Sequence, residues 1–312
     1  MRITAFVGTL FLPCIAFAQL TPAQLYYGVD RPAVIDVARP AGAEGALSIS
    51  LSRTGVESPA TKVSVEAGKA DLAALIDNFW HSEGAQAVRY AQLYAGESPV
   101  GPALVIQPLL NPPYASLSGR AAVFPPSQPG VLSGARVYVD KYVEMETSAG
   151  TMVFRMRPDQ APNTAYNFLH LAEGGIYTGV IFHRIINNGP RGPFVIQGGD
   201  PTGTGMGGPG YMIDLEPSKL PHDFGVLSMA RSGDPNTNGS QFFVCLSRDG
   251  TSFLDTQYTT FGECIKGAEV IVKIAATPTN AEDRPMEPPV IKSVKLIDAD
   301  PYGTGPARVN RP

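Results

Sequence analysis

The sequence predicts a mainly β protein made of two units, and three observations support this prediction. Glycine and proline make up about a fifth of the 312 residues and charged residues only 17%, which disfavours long helices and coiled coils. Short apolar runs recur between turn residues, as in β-strands. The stretch from Phe124 to Gly130 contains three prolines and has the composition of a linker. We therefore expect a β-rich N-terminal unit over residues 19–120, a linker over 121–136 and a second unit over 137–299.

The first eighteen residues have the pattern of a secretory signal peptide. Arg2 supplies the positive start, an apolar run follows over residues 5–15, and residues 16–18 form a small-x-small cleavage site. This run is too short to span a bilayer, and no other apolar run is long enough. A lipid anchor at Cys14 is the alternative. We expect a chain that is exported to the periplasm or the medium and has no integral membrane segment after cleavage.

The N-terminal unit is predicted to be a small β-sandwich. Four strand-like runs lie at residues 47–51, 62–65, 87–90 and 103–106. Their close spacing, with turn residues between them, is typical of an antiparallel sandwich. Residues 70–80 place Leu72, Leu75, Ile76 and Phe79 at helical spacing, which predicts one short helix or turn.

The second unit is predicted to be mostly β with two helices. Residues 142–156 alternate on either side of a Ser-Ala-Gly turn, which indicates a hairpin. Pro162 can open a helix that Gly174 and Gly175 close. A second helix is expected over 268–275, and residues 300–312 have the composition of a flexible tail.

Charge and motif spacing exclude several classes of function. The net charge is −4 and no Lys/Arg cluster occurs, so nucleic acid is not an expected partner. The four histidines are scattered without metal-ligand spacing, so neither a metal nor another cofactor is expected. The G-x-G-x-x-G pattern at 203–208 is followed by a proline where a dinucleotide site needs the start of a helix. Cys245 and Cys264 could pair, but their contexts favour two buried free thiols.

Six short motifs carry the functional signal of the second unit. In chain order they are Phe-His-Arg-Ile-Ile (182–186), Phe-Val-Ile-Gln-Gly-Gly-Asp (194–200), Leu-Ser-Met-Ala-Arg (227–231), Asn-Gly-Ser-Gln-Phe-Phe (238–243), Phe-Leu-Asp (253–255) and Phe-Gly (261–262). Together they resemble the cyclophilin-type peptidyl-prolyl cis-trans isomerases, in a form similar to the bacterial members. The resemblance implies a closed eight-stranded antiparallel barrel with two capping helices. It also implies isomerisation of X-Pro bonds in proline-containing polypeptides, in a groove on the outer face.

The resemblance also assigns the site residues. Arg184 matches the catalytic arginine of the family, and Gln197 matches the glutamine that holds this arginine and the substrate backbone. The other matched positions are Phe194, Val195, Phe243 and Leu254 for the proline pocket, Gln241 and Arg231 for contacts to the peptide backbone, and Phe253 and Tyr258 where the family carries Trp and His. Because the family's Trp donates its indole N–H to cyclosporin, Phe253 predicts weak binding of that inhibitor. Residues 187–193 form a longer loop than usual, which predicts an altered pocket rim.

The physical demands of X-Pro rotation agree with these assignments. The barrier of roughly 18–20 kcal/mol arises from the double-bond character of the amide, and the twisted transition state restores a lone pair on its nitrogen. A guanidinium aimed at that nitrogen binds the twisted state better than either planar state.

Two other functions remain open from the sequence. One is a proline-peptide-binding or chaperone module without turnover, favoured by the long loop. The other is a docking or adhesion protein whose N-terminal unit has the main role. The sequence does not indicate an oligomeric state.

Overall fold

The computed structural model describes residues 19–55, 62–110, 114–125 and 130–312. The predicted signal peptide (1–18) and part of the predicted linker (126–129) lie outside the described residues. Within the described ranges, no helix is long and apolar enough to cross a membrane.

The described residues before 140 form twelve strands and one short helix. They are β1 (Leu20–Pro22), β2 (Tyr26–Gly28), β3 (Val34–Val37), β4 (Leu47–Ser52), β5 (Lys62–Ser64), β6 (Gly68–Asp71), α1 (Leu72–Leu75), β7 (Arg89–Ala95), β8 (Ser98–Pro99), β9 (Leu104–Pro108), β10 (Ser116–Ser118), β11 (Ala121–Val123) and β12 (Gly134–Val139). A seven-stranded antiparallel sheet has the order β2-β12-β9-β7-β4-β5, with β8 paired to β7. A second sheet has the order β1-β3-β6, and β10 and β11 form a separate hairpin.

The two larger sheets bury their apolar faces in one shared core. Leu20 and Ile35 come from the three-stranded sheet, and Ile49, Leu93 and Ile106 come from the seven-stranded sheet. All five side chains are nearly inaccessible to solvent. The two sheets therefore share one apolar core, whereas the small sandwich domain expected from the sequence stays a prediction.

The short helix or turn expected over 70–80 is the four-residue α1, after which the chain leaves the helical conformation at Ile76 and turns at Asn78, whose φ is +54°. Residue 137, the expected start of the second unit, lies inside β12, which pairs with both β9 and β2. Strand pairing therefore joins residues 134–139 to the sheet that precedes them.

The second part of the chain contains eight strands and three helices. They are β13 (Lys141–Thr147), β14 (Gly150–Met156), α2 (Pro162–Glu173), β15 (Arg184–Ile186), β16 (Val195–Gly198), β17 (Val226–Met229), β18 (Phe242–Cys245), α3 (Arg248–Thr251), β19 (Thr260–Lys266), α4 (Ala268–Ala275) and β20 (Ile291–Asp298). A single turn of 3₁₀ helix covers Ser252–Leu254. The predicted hairpin and both predicted helices are confirmed.

The eight strands form one antiparallel sheet that curls into a half-barrel, so the expected closed barrel is wrong. The order is β15-β16-β18-β17-β19-β14-β13-β20, and the edge strands β15 and β20 do not pair with each other. Backbone hydrogen bonds join the segment before β15 to the start of β20 and the residues before it: the Gly179 N–H donates to the Ile291 carbonyl (2.8 Å) and the Phe182 N–H to the Pro289 carbonyl (2.9 Å). Pro288 and Pro289 have no N–H to donate, so a continuous ladder cannot form across this seam.

The core of this part lies between the curled sheet and the helices α2 and α4. The rings of Phe168 on α2 and of Phe242 and Phe261 on the sheet meet at centroid distances of 5.4 and 5.1 Å. The first turn of α2 has no side-chain cap of its own. Instead, the buried carboxylate of Glu216 accepts the N–H groups of Asn163 (3.1 Å) and Thr164 (2.7 Å). This contact satisfies donors that the helix leaves open.

Residues 300–312 are packed against the protein rather than frayed as their composition predicts. Tyr302 stacks on Tyr90 at 4.2 Å, and the Val309 N–H donates to the Cys264 carbonyl at 2.9 Å. Arg308 pairs with Asp223 at 2.7 Å. The tail thus connects the half-barrel to the seven-stranded sheet.

Both described cysteines are buried free thiols, as expected. Cys245 lies in the apolar cluster on the outer face of the half-barrel, whereas Cys264 belongs to the inner core. The strand β17 separates the strands that carry them. Burial raises the pKa of each thiol, which keeps both protonated and unreactive.

Candidate active site

Strand register brings Arg184 and Gln197 together on the outer face of the half-barrel. Arg184 on β15 is directly opposite Gln197 on β16, and Gln197 is opposite Phe243 on β18. The alternating neighbours Ile185 and Ile196 point into the core, where they are at most 2% exposed. Because side chains alternate along a strand, the three predicted site residues share one face.

An apolar pocket adjoins this pair. Val195, Phe243 and Leu254 are buried in one cluster, and Phe194 and Tyr258 pack against it. The Phe243 and Tyr258 rings meet edge to face at 5.9 Å. The five pocket and rim positions predicted from the sequence therefore lie together in the fold.

Leu220 also belongs to this cluster, and sequence reasoning did not identify it. It lies in an irregular segment, so no periodic pattern marked it.

The amide of Gln197 is held by a second glutamine. Gln197 Nε2 donates to Gln241 Oε1 at 3.2 Å, and Gln241 Nε2 donates to the carbonyls of Gly205 and Gly207, both at 2.9 Å. Among the described residues, no hydrogen bond joins Gln197 to Arg184, although the resemblance implies one. Instead, the Gln241 side chain holds Gln197 and is itself held by the carbonyls of the glycine-rich loop.

Asp200 anchors that glycine-rich loop. Its buried carboxylate accepts the N–H groups of Thr202 (2.8 Å), Gly205 (2.6 Å) and Gly207 (3.1 Å). Burial raises the pKa of Asp200, but these hydrogen bonds outweigh it and lower the pKa to about 2. A Cβ on Gly207 would lie 2.1 Å from the Asp200 carboxylate, so the close approach requires glycine. The loop that contains the G-x-G-x-x-G pattern therefore holds the Gln241 side chain in place.

The guanidinium of Arg184 is partly exposed and faces one acidic neighbour. Its side chain is 44% exposed, and Nη2 lies 3.5 Å from Asp283 Oδ2. The Asp283 carbonyl also accepts the N–H of Ile185 at 2.9 Å, which ties the loop to β15. Sequence reasoning did not identify Asp283, because it is almost a hundred residues from Arg184. The rest of the guanidinium remains open to a ligand.

Arg231 lies at the rim of the groove, and its guanidinium N–H groups already donate to backbone carbonyls. Its guanidinium lies 4.5 Å from the centroid of the Tyr258 ring. It also donates to the carbonyls of Gln257 (3.0 Å) and Ser232 (2.9 Å). These bonds fix the Arg231 side chain against its own loop, while its charge remains at the edge of the groove.

Phe253 forms an exposed part of the rim between two loops. The side chain is 52% exposed, and its ring stacks on Phe194 at 5.6 Å. The long 187–193 loop folds back through a hydrogen bond from Gly192 to Gly189 (3.0 Å). It places the Arg191 guanidinium 5.2 Å from the Phe253 ring. A cleft of about 370 Å³ lies between this loop and Phe253, so the loop forms part of the rim.

A buried histidine that the sequence did not single out supports the pocket from behind. His222 is 1% exposed and lies parallel to Phe243 at 6.1 Å. Its ring nitrogens contact Asp255 Oδ1 and Ser228 Oγ, both at 3.0 Å. Burial lowers the pKa of His222, which keeps the ring neutral at pH 7.

Within the described residues, no group of three His, Cys, Asp or Glu side chains is placed to hold a metal ion.

Comparisons with known proteins identify the family of the second part of the chain. The family model described as "Cyclophilin type peptidyl-prolyl cis-trans isomerase/CLD" matches residues 142–296. "Peptidyl-prolyl cis-trans isomerase ppi1" of Schizosaccharomyces pombe is 44% identical over 160 residues, which cover 49% of this chain and 98% of that protein. A "Putative peptidyl-prolyl cis-trans isomerase" of Staphylococcus haemolyticus is 39% identical over 189 residues, covering 50% of this chain and 91% of that protein.

A solved structure of a Cryptosporidium parvum cyclophilin-type isomerase is 38% identical. It covers 50% of this chain and 98% of its own, with a TM-score of 0.46. The sequence matches extend along nearly the whole length of the curated relatives and contain all ten predicted site positions. The chain therefore belongs to the cyclophilin-type peptidyl-prolyl cis-trans isomerases.

Proposed function

We propose that Arg184 and Gln197 carry the isomerase activity of this chain, with the cluster around Phe243 as the proline pocket. The observation that supports this most directly is the register that sets Arg184, Gln197 and Phe243 side by side on one outer face. A proline ring against Phe243 puts its amide nitrogen within reach of the guanidinium.

The chemistry requires no nucleophile and no proton transfer. As the X-Pro bond twists, its nitrogen regains a lone pair that accepts a hydrogen bond from Arg184. The pocket excludes water and holds the ring while the acyl side rotates. Gln197, fixed by Gln241, holds the neighbouring peptide backbone. Millisecond relaxation requires about 5–7 kcal/mol of transition-state stabilisation, or roughly 10⁴–10⁵ in rate.

Substitution of Arg184 by alanine tests this assignment. We expect kcat/KM on an Ala-Pro peptide to fall at least about a hundredfold, because the donor to the developing lone pair is lost. The free energy of unfolding should change by no more than roughly 1 kcal/mol, since the side chain is partly exposed. Lys292→Ala is the control, because Lys292 is a similarly exposed cation paired to Glu146 at 3.8 Å. Arg184→Ala activity within about threefold of wild type contradicts the assignment.

The clients are proposed to be polypeptides outside the cytoplasm. The support is the signal-like pattern of residues 1–18 and the position of Leu20, which is fully buried at the start of β1, directly after the expected cleavage site. Mass spectrometry of the protein recovered from cell fractions tests this. An N-terminus at Gln19 in the periplasm or medium is expected, and an intact Met1 in the cytoplasm contradicts it.

A further inference from the structure

The hairpin formed by β10 and β11 lies against the rim of the isomerase groove, although more than a hundred residues separate it from the rim residues Asn236 and Gln257 that it contacts. The Ala122 N–H donates to Gln257 Oε1 at 2.8 Å, and Asn236 Nδ2 donates to the Ala115 carbonyl at 2.8 Å. Ala115 and Ala122 are buried with Leu215 of the half-barrel. Hydrogen bonds and apolar contacts thus hold both strands of the hairpin in place.

The tip of the hairpin forms one wall of a cleft that continues from the proline pocket. Leu117 and Arg120 line a cleft of about 780 Å³, and Phe253, Leu254 and Tyr258 form its opposite wall. Leu254 and Tyr258 also belong to the apolar pocket cluster. A peptide whose proline occupies the pocket therefore places its flanking residues beside the hairpin. The volume is within the range of specific binding sites.

The cleft has an unpaired positive charge and a free apolar surface. Arg120 is exposed at the two-residue turn between Ser118 and Ala121, and no hydrogen bond or ion pair joins its guanidinium to another described residue. Leu117 is 49% exposed.

The opposite wall of the cleft also carries positive charge. The cleft is also lined by Arg231, and none of its lining residues is acidic. Two acids directly follow lining residues in sequence, and both carboxylates are engaged: that of Asp234 accepts the N–H of Asn236 at 2.8 Å, and that of Asp255 accepts Arg248 Nη2 at 2.6 Å. A carboxylate in the cleft would therefore meet two cations and no competing anion.

We propose that the β10–β11 hairpin extends the substrate groove into a subsite that selects a glutamate or aspartate close to the isomerised proline. Arg120 contacts the carboxylate, and Leu117 packs on its aliphatic stem. Arg231 adds charge without giving up its carbonyl contacts. This inference rests on the groove described under the proposed function, and it assigns substrate selection to residues outside the isomerase unit.

Paired peptides test the subsite. Ala-Pro peptides carry either Glu or Gln at one of three positions on each side of the proline, and kcat/KM is measured by protease-free NMR exchange. We expect wild type to prefer Glu over Gln by about two- to fivefold at one or two positions, the size of a partly exposed ion pair. The preference should disappear at about 0.5 M salt because the charges are screened.

Arg120→Gln should bring the Glu/Gln ratio to about one, and Arg120→Glu should reverse it in favour of Gln. Arg31→Gln is the matched control, because Arg31 is an exposed arginine at a turn before β3 and should leave the ratio unchanged. A ratio of one at every position in wild type, or a preference that survives Arg120→Gln, overturns the subsite. Failure of wild type to turn over the Gln peptides would instead contradict the proposed function.

Discussion

At the scale of single residues, strand alternation separates groups that are adjacent in sequence. Phe242 is fully buried in the inner core, whereas Phe243 belongs to the outer pocket cluster. His183 is likewise 6% exposed on the opposite side from Arg184, and burial lowers its pKa. The period of two is a local property of a strand, so such separations follow from the sequence once the strand is identified.

Phe253 offers a residue-level test of the groove. We expect Phe253→Trp to bind cyclosporin more tightly than wild type by about 1.5–3 kcal/mol, roughly ten- to a hundredfold, because the indole adds an N–H donor and a larger face. The ring is half exposed beside Phe194, so the larger side chain can be accommodated. Calorimetric titration measures the affinity.

Tyr26→Trp is the control, since Tyr26 is 49% exposed and lies on β2, outside the groove. Equal affinities of wild type and Phe253→Trp would mean that Phe253 does not contact ligands in the groove.

At the scale of elements, a loop rather than a strand fixes the side chains of Gln197 and Gln241. The 200–207 loop has no regular secondary structure, yet Asp200 holds it through backbone donors, and its carbonyls hold Gln241. The outer-face position of Gln197 thus depends on the buried Asp200 carboxylate.

Asp200→Asn should therefore lower both stability and activity. Asparagine places an NH₂ group against backbone N–H donors, and the loss of charged hydrogen bonds costs about 1.5–3 kcal/mol. The folded-state pKa of Asp200, about 2, is below its unfolded value, so this stabilisation is complete above about pH 4 and is lost as the pH falls through 2.

Denaturant melts at several pH values measure this effect. The difference between wild type and Asp200→Asn should be constant from pH 7 to about pH 4 and shrink below that. A difference that grows toward low pH contradicts the role given to the carboxylate.

At the scale of the whole molecule, the N-terminal sheets attach to the half-barrel through specific contacts. Gln107 Nε2 donates to Asn163 Oδ1 at 3.0 Å, and the Tyr302 N–H donates to Gln92 Oε1 at 2.7 Å. Tyr138 packs against Tyr166 at 5.2 Å. These contacts fix the sheets of the first part of the chain against the half-barrel.

A fragment of residues 140–312 should fold and retain isomerase activity on a neutral peptide within about threefold. The buried members of both apolar clusters of the half-barrel lie within it, and the fission yeast relative is matched over 98% of its length by this part of the chain. The melting temperature should be lower than that of the full chain, because the contact surface with the sheets becomes exposed. Circular dichroism and the isomerase assay measure both. An insoluble or inactive fragment would show that the two parts share a core.

Several features could be predicted from the sequence because their signals are local. The hairpin 141–156, the helix that begins at Pro162 and the helix Ala268–Ala275 follow from turn residues, a proline at the first helical position and apolar periodicity. The site residues followed from motifs whose members lie within a few positions of one another.

Only the tertiary structure revealed the contacts between residues that are distant in the chain. Asp283 beside Arg184, Glu216 at the first turn of α2 and the hairpin at Gln257 are each separated from their partners by more than fifty residues. The open seam of the half-barrel also depends on which segments meet there, and prolines on one side of it prevent a ladder. Local patterns determine which elements form, whereas side-chain contacts across the fold decide how the groove is supported and what flanks it.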